Sequence, residues 1–332
     1  MMLDILANND WKRPIYFTGG SYADSEYIWM KEYLQLEGLV YKLVPIRTPQ
    51  NSDNPYIMGR LDADLMYDIV MNWSWGNSES PDIYHDVETR KNSISFRSNM
   101  ARLAEKLIEE DKKDKAKKIL DLAMEKMPLD YFGYYSLLVP FVDTYYRLGV
   151  IESAQSLAKQ VAFKYSDELE YFTSLTPSEQ FMMGEEIITQ VERYRTLVEA
   201  ILIHEDRELL KTELDHFTNA IQPFKSLYGD YDYYTSLNDF VEGYYLSGQK
   251  EKAEELAVSI VSQYEERFGM IAQFSKSNKK LFFDRVKGEI LDFQELIYRV
   301  ELMDGADFAD SLQKRFDQSM EQFELDENSL EN

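Results

Sequence analysis

The chain contains no cysteine, and this absence removes several kinds of chemistry at once. Disulfide bonds, thiolate nucleophiles and thiolate metal sites are all excluded. The lack of cysteine assigns no compartment, because it fits a periplasm and a cytosol equally. Histidine is also scarce: His85, His204 and His216 are scattered, without the spacing of metal ligands. We therefore predict neither a metal site nor a cofactor.

Long hydrophobic runs are missing as well. A helix that spans a bilayer needs about 20 apolar residues, and the longest candidate, residues 134–142, is far shorter. We therefore expect no direct membrane insertion by this chain. Residues 1–9 also lack the basic start and the apolar stretch of a signal peptide. The chain is thus expected to be cytosolic or to be a piece of a larger protein.

Positive charge is in short supply. The 36 basic residues face 60 acidic ones, which leaves a net charge of −24. Such a surface repels phosphate backbones and anionic lipid headgroups, so we expect no nucleic-acid partner. The simplest interpretation of the acidic excess is a solvated surface that keeps the protein in solution.

Catalytic signatures are absent too. The sequence holds no G-x-S-x-G elbow, no G-x-G-x-x-G loop and no Walker lysine. Carboxylates are so abundant that no acid pair for sugar hydrolysis can be singled out. We assign no catalytic residue and favour a role other than catalysis.

What the chain does have is a large apolar and aromatic content. Hydrophobic residues make up 44% of its 332 residues, with 24 Tyr and 18 Phe. A length of 332 suggests about two domains. We predict a mainly α protein: a small α/β lobe over residues 1–92, a helical repeat domain over 93–325, and a disordered acidic tail over 326–332.

The first lobe is predicted from alternating strand and helix patterns. Residues 15–17 form a β-favouring run, residues 25–38 have helical spacing that ends at Gly38, and residues 39–47 form a second strand. The order strand, helix, strand predicts a βαβ unit with parallel strands. Two parallel strands need neighbours, so we expect more of this lobe upstream of Met1. A small two-stranded cap on the helices is the alternative.

Gly19 and Gly20 lie between the first predicted strand and the first predicted helix. A phosphate could rest there on free N–H groups, with Arg13 and Ser21 beside it. This would make the chain a small-molecule or sugar-phosphate-binding enzyme domain. A plain tight turn is the simpler interpretation, and we favour it.

Two tryptophans, Trp73 and Trp75, follow a short predicted helix in an irregular stretch. Exposed Trp pairs can stack on sugars. Burial against a neighbouring domain is the interpretation that we favour, because large aromatic side chains are usually buried.

Internal repetition is the main signal of the helical region. Residues 138–165 align with residues 237–264, and each unit has the pattern helix, glycine, helix, with Gly149 matching Gly248. A third copy covers residues 100–128, with Asp111 in place of glycine. Pro140 falls inside the first expected helix of its unit, so that helix should start late or kink.

Small residues recur on the second helix of each repeat, at Ala116, Ala154 and Ala253. They let antiparallel helices approach closely, and a large residue there would force the pair apart. Thr176, Pro177 and Glu179 predict a capping box at the start of another helix. The repeats resemble the tetratricopeptide repeat, a helix hairpin of about 34 residues, and so predict a superhelix of hairpins.

Four stretches carry a further resemblance: "MLDILANNDWKRPIYF", "YLQLEGLVYKLVPI", "WGN" at residues 75–77, and "FRSNMARLAEKLI" from Phe96. In these the chain resembles the soluble C-terminal region of a bacterial membrane-protein family. That family is known as domain of unknown function 2723 and is grouped as glycosyltransferase family 117, similar to protein O-mannosyltransferases. The resemblance implies a membrane bundle upstream, tetratricopeptide-like repeats, and an extracytoplasmic, periplasmic location. No catalytic position of the family falls within this sequence.

Three roles follow from these observations. The first is a non-catalytic interaction domain whose repeat groove binds a protein or peptide, such as a glycosylation acceptor; Trp75, Tyr134, Tyr135 and Tyr234 are its candidate contacts. The second is a brace for the membrane part of its own chain. The third is a free-standing repeat adaptor, which would be cytoplasmic.

Overall fold

A computed structural model describes residues 2–18, 27–49, 58–274, 283–304 and 306–323. Residue contacts divide the chain into two compact units, residues 1–157 and residues 158–332. Helices make up most of both units, and the only sheet among the described residues lies in the first. This confirms a mainly α protein with a small N-terminal α/β lobe. None of the helices within the described residues combines the length and apolar composition that a bilayer crossing requires.

The sheet has four short strands in the order β1-β3-β2-β4. Its strands β1 to β4 are, in chain order, Tyr16–Phe17, Leu34–Glu37, Val40–Leu43 and Arg60–Leu61. Strand β3 pairs antiparallel with both β1 and β2, while β2 pairs parallel with β4. The strands predicted at residues 15–17 and 39–47 are therefore present, and each has neighbours.

The predicted βαβ connection is wrong. The segment with helical spacing forms a 3₁₀ helix, Ile28–Tyr33, and then continues directly into β2. All four residues of β2 are buried, so tertiary packing outweighs the local helical pattern. Gly38, predicted to end a helix, instead makes the tight turn between β2 and β3, with φ of +69°. The first predicted strand is thus antiparallel to β3, and it is not half of a parallel pair.

The sheet lobe has a core of its own. Tyr27, Met30 and Leu34 are buried together. The ring of Phe17 stacks on that of Tyr27, with ring centres 4.6 Å apart. The small α/β lobe is therefore held by side chains from β1, the 3₁₀ helix and β2, preceded by helix α1, Met2–Asn9.

The first unit continues with helices. Helices α2 to α6 are Ala63–Met71, Val87–Glu109, Lys113–Lys126, Leu129–Phe132 and Val139–Arg147. Asp62 and Asp86 cap α2 and α3 by accepting hydrogen bonds from Leu65 N and Thr89 N. Asp111, which replaces the repeat glycine, takes φ of +58° between α3 and α4; aspartate tolerates that conformation better than most residues. The boundary predicted at residues 92 and 93 lies within α3 and stays a prediction.

The remaining described helices, α7 to α16, are Ile151–Thr173, Pro177–Met182, Gly184–Ile203, Arg207–Ile221, Lys225–Tyr228, Asp230–Thr235, Asn238–Leu246, Lys250–Ala272, Phe283–Asp304 and Ala306–Phe323. The predicted capping box is confirmed: the Thr176 side chain accepts from Glu179 N, and the Glu179 carboxylate accepts from Thr176 N. The predicted tail, residues 326–332, lies outside the described residues.

The predicted helix–glycine–helix units are confirmed at both glycines. Gly149 and Gly248 have φ of +75° and +78°. In each turn the N–H of the glycine donates to the carbonyl oxygen of the residue three positions earlier. The N–H of the following residue donates to the carbonyl oxygen five positions before that residue, and the N–O distances are 2.8–3.0 Å. Pro140 lies in the first turn of α6, which begins at Val139, so that helix starts late as expected. Ala116, Ala154 and Ala253 are fully buried, as the close packing requires.

The second unit is held by rings that contact one another in series. The rings of Tyr165 and Tyr194 are stacked. Tyr194 and Phe217, and then Phe217 and Phe240, make edge-to-face contacts, and the ring centres in the three pairs are 5.1–5.6 Å apart. These four side chains come from α7, α9, α10 and α13 and are almost fully buried. Aromatic contacts of this kind stabilise a core beyond the area they bury.

Candidate functional site

An aromatic pocket of about 540 Å³ lies in the first unit, behind the loop that follows α2. Three rings form its base. Trp73 meets Trp75 at 5.6 Å and Phe96 at 5.0 Å, both edge to face, and Trp75 lies 5.4 Å from Phe96. The pocket is lined by Leu39, Trp73, Ser74, Trp75, Gly76, Ser78, Ile83, Tyr84, His85, Thr89, Asn92, Ser93, Phe96, Met127 and Phe132.

Hydrogen bonds from the loop to its neighbours hold the pocket wall. His85 Nε2 is 2.8 Å from the carbonyl oxygen of Ser78, and the His85 ring packs on Phe132 at 4.6 Å. Ser78 Oγ donates to the carbonyl oxygen of Lys126 at 2.6 Å. The Lys126 ammonium also pairs with Glu79 at 2.7 Å, and neither residue lines the pocket.

A buried arginine supports the wall on the other side. Arg97 on α3 is fully buried and donates to the carbonyl oxygens of Met127, at 2.8 Å, and of Gly133. Burial lowers the pKa of Arg97 to about 10, so the guanidinium stays charged at neutral pH. Its two bonds tie the segment that carries Met127 and Phe132 to the helix that carries Phe96.

The lining is free of acidic residues, lysine and arginine among the described residues. Its polar members are hydroxyls, one amide and His85. In a chain with a net charge of −24, such a surface favours an uncharged ligand, because a charged one would lose its hydration without gaining an ion pair.

The predicted contact residues are not all brought together. Trp75 lines the aromatic pocket, whereas Tyr134 and Tyr135 follow Gly133, are half-buried and do not line it. Tyr234 belongs to the second unit, where the Lys225 ammonium lies 4.5 Å from its ring centre. The structure therefore assigns Trp75 to a cavity, and a partner surface at the three tyrosines stays a prediction.

Most residues of the alternative anion site are not among the described residues. Gly19, Gly20 and Ser21 lie outside the described residues. Arg13 is exposed, and its backbone carbonyl accepts a hydrogen bond from Asn9 Nδ2 at 2.8 Å. The phosphate site at this turn stays a prediction.

A helical groove of about 760 Å³ lies in the second unit. Helices α7, α9 and α10 supply its walls. Phe163 lines the groove, and 65% of its surface is exposed to solvent. The residues that line it are Lys159, Ala162, Phe163, Ser166, Glu170, Thr173, Tyr194, Thr212, Glu213, His216, Asn219, Ala220 and Pro223.

The floor of the helical groove is a chain of polar contacts. Ser166 Oγ donates to the Tyr194 hydroxyl at 3.3 Å, and that hydroxyl donates to Glu213 Oε2 at 3.5 Å. His216 Nδ1 lies 3.6 Å from Glu213 Oε1. Burial raises the pKa of Glu213 and of Tyr194. The Ser166 hydroxyl is bonded to Tyr194 and not to His216, so these contacts do not make an activated serine.

Sequence reasoning missed Phe163 and Glu213. Phe163 is one of 18 phenylalanines and Glu213 one of 60 acidic residues, and nothing in their spacing marks them. No group of three His, Asp or Glu side chains within the described residues could hold a metal ion.

The comparisons with known proteins concern mainly the sheet lobe. A family model described as TMEM260-associated domain 2 matches residues 1–65. This range covers α1 and all four strands of the described sheet. The matched domain is one associated with a membrane-protein family. No curated protein and no solved structure matches the chain.

Proposed function

We propose that the chain is a non-catalytic, extracytoplasmic recognition domain of a membrane glycosyltransferase-like protein. Two observations support the membrane association: the TMEM260-associated model over residues 1–65, and the resemblance to glycosyltransferase family 117 described above. We interpret the helix hairpins as tetratricopeptide-like repeats, whose usual task is to present a groove to a polypeptide.

The helical groove carries this proposal. It combines one exposed aromatic anchor, Phe163, with hydroxyl, amide and charged groups along three helices. Binding energy at polypeptide interfaces is concentrated on such aromatic anchors. The α7 residues of the groove run from Lys159 to Thr173, about 20 Å at 1.5 Å per residue, which accommodates an extended segment of several residues.

Charge favours a basic or neutral occupant. Glu170 and Lys159 line the groove and Glu213 is buried in its floor, while the whole chain carries a net charge of −24. Attraction of a basic segment by this field would raise its association rate. The proposed occupant is therefore a polypeptide segment with a basic side chain, which we assign to an acceptor protein; a segment of the same chain is the other outcome of the test below.

A photo-crosslinking residue in place of Phe163, in the full-length protein in its native membrane, tests the proposal. The control places the same residue at Tyr298, which is 59% exposed on α15 and does not line the groove. We expect a crosslinked polypeptide from position 163 and none from position 298. Mass spectrometry then separates an acceptor from a segment of the same chain, which would mark a brace. Crosslinks to lipid alone, or equal yields at both positions, would reject a polypeptide groove.

The isolated chain allows a quantitative test with synthetic peptides that contain either arginine or glutamate at alternate positions. We expect only the arginine set to bind, and Phe163→Ala to weaken that binding at least about tenfold, as is usual for an anchor residue. Tyr298→Ala should leave it unchanged. Equal binding of both peptide sets would contradict the charge argument.

A further inference from the structure

We propose that the aromatic pocket of the first unit is a binding site for an uncharged sugar ring. Its volume of about 540 Å³ lies in the range of about 300–1,000 Å³ typical of small-molecule sites. The inference uses the lining of this pocket and is independent of the polypeptide groove, which belongs to the second unit.

The base of the pocket suits the apolar face of a pyranose. Trp73 and Trp75 meet edge to face, with 72° between their planes, so the two rings do not cover each other. Both are half-buried and line the cavity. Aromatic faces attract the slightly positive C–H groups of a sugar, as they attract other electropositive groups.

The rim of the pocket supplies neutral hydrogen-bonding groups. Asn92 and Ser74 are exposed and line the cavity. The Thr89 side chain, three residues before Asn92 on the same side of α3, is already hydrogen-bonded to Asp86. The hydroxyls of the half-buried Ser78 and the buried Ser93 are likewise bonded, to backbone carbonyls. The groups that remain at the rim can exchange water for the hydroxyls of a sugar.

Charge separates this pocket from the other cavities. Arg60, Asp64 and Glu105 are among the residues that line a cavity between the sheet and α3. A cavity in the second unit is lined by residues that include Asp239, Asp292 and Arg299. The aromatic pocket has no such side chain among the described residues, so a phosphorylated or amino sugar would be disfavoured there.

An apolar side chain would be a poorer occupant than a sugar. It would remove water from Asn92 and Ser74 without replacing the hydrogen bonds that water makes, which costs free energy for each group. A sugar offers both an apolar face for the rings and hydroxyls for the rim. Tyr84, 87% exposed beside the pocket, could cover the outer side of such a ring.

Tryptophan fluorescence tests the proposal on the protein itself. The chain has four tryptophans, and Trp11 and Trp29 are exposed elsewhere. In a Trp11→Phe, Trp29→Phe background the remaining signal comes from Trp73 and Trp75. The probes are the methyl glycosides of glucose, galactose and mannose, with glucose 6-phosphate, glucosamine and indole as comparisons. We expect saturable changes with at least one glycoside, and at least about tenfold weaker binding of the two charged sugars.

Two variants locate the site. Trp75→Ala should abolish binding; because it could disturb the loop, Asn92→Leu is the second variant and leaves the three rings in place. We expect Asn92→Leu to weaken binding about fivefold or more through the lost hydrogen bond. Ser95→Ala, an exposed change on the same helix outside the lining, should bind as the parent does.

Each remaining outcome overturns the proposal. If no glycoside changes the fluorescence, the pocket does not bind a sugar. If a glycoside still binds to both the Trp75→Ala and the Asn92→Leu variant, its binding site is elsewhere on the protein. Indole binding as tightly as the glycosides, with Asn92→Leu unaffected, identifies an apolar side-chain pocket instead.

Discussion

The guanidinium of Arg97 donates a hydrogen bond to the carbonyl oxygen of Gly133, 36 residues further along the chain. A second hydrogen bond reaches the carbonyl oxygen of Met127. Both acceptors are backbone carbonyl oxygens, so the two hydrogen bonds fix the backbone position of residues 127–133 and do not depend on a particular side chain there. The aromatic pocket depends on this path, because Met127 and Phe132 form part of its wall.

Replacing Arg97 should therefore destabilise the first unit. Arg97→Met removes the donor from the buried carbonyl of Met127 and the part-buried carbonyl of Gly133, and we expect the free energy of unfolding to fall by about 3 kcal/mol. Arg97→Lys should recover only part of this, because an ammonium lacks the planar fork of the guanidinium. Urea unfolding measures both variants, with the exposed Arg13→Met as control. Equal stability of Arg97→Met and the parent would mean that the two bonds contribute nothing.

Ala253 should not accept a larger side chain. It is fully buried near the start of α14, beside the Gly248 turn. Ala253→Leu should cost about 1–3 kcal/mol by overpacking. Val258→Leu adds a methylene at a position 40% exposed on the same helix and should cost little. Thermal or urea unfolding measures the stability of both variants. Similar losses of stability in both would indicate a general effect of leucine in this helix.

Glu213 should make stability depend on pH. Burial raises its pKa, so above its ordinary value of about 4.3 the native state keeps a proton that the unfolded state has released. The contribution of this carboxyl to the free energy of unfolding therefore falls as pH rises through its native pKa. Tyr194, Lys159 and His216 face the carboxylate and favour its ionised form, so they limit the effect.

Glu213→Gln isolates this contribution, because it keeps the shape without the titration. We expect its stability relative to the parent to increase from pH 4 toward pH 7, by about 1.4 kcal/mol for each unit by which the native pKa is raised. Glu208→Gln, exposed on the same helix, should show no such trend. A difference between Glu213→Gln and the parent that is constant with pH would contradict the assignment.

Thr176 should matter for the short helix α8. It caps Pro177–Met182 and closes a reciprocal capping box with Glu179. Thr176→Ala should cost about 1 kcal/mol locally and speed amide exchange in residues 178–182. Thr196→Ala, exposed in α9, serves as the control. Unchanged exchange in Thr176→Ala would show that other contacts hold the helix.

Several elements could be predicted because their signals are local. Gly149 and Gly248 have the positive φ that glycine adopts without strain. Thr176 and Glu179 lie three residues apart and complete their cap within one turn. Interactions over so few residues depend little on the rest of the fold.

The error over residues 25–38 has the opposite cause. Leu34 and Leu36 fit a helical face, yet they are also two residues apart, which is the period of a strand. Their burial in β2, between β3 and β4, decides in favour of the strand. The partner strand β4 begins 23 residues after Glu37, beyond the reach of a local pattern.

The amino-acid sequence by itself determined the strong negative charge, the absence of thiol chemistry, and the helix hairpins with their glycine turns and buried alanines. Only the tertiary structure decided that Trp75 lies against Phe96 in a pocket whose described lining has no acidic residue, lysine or arginine, and that Glu213, among 60 acidic residues, is buried beneath a groove. The physical reason is that turns and caps arise between neighbours in the chain, whereas burial arises from the packing of elements that are distant in it.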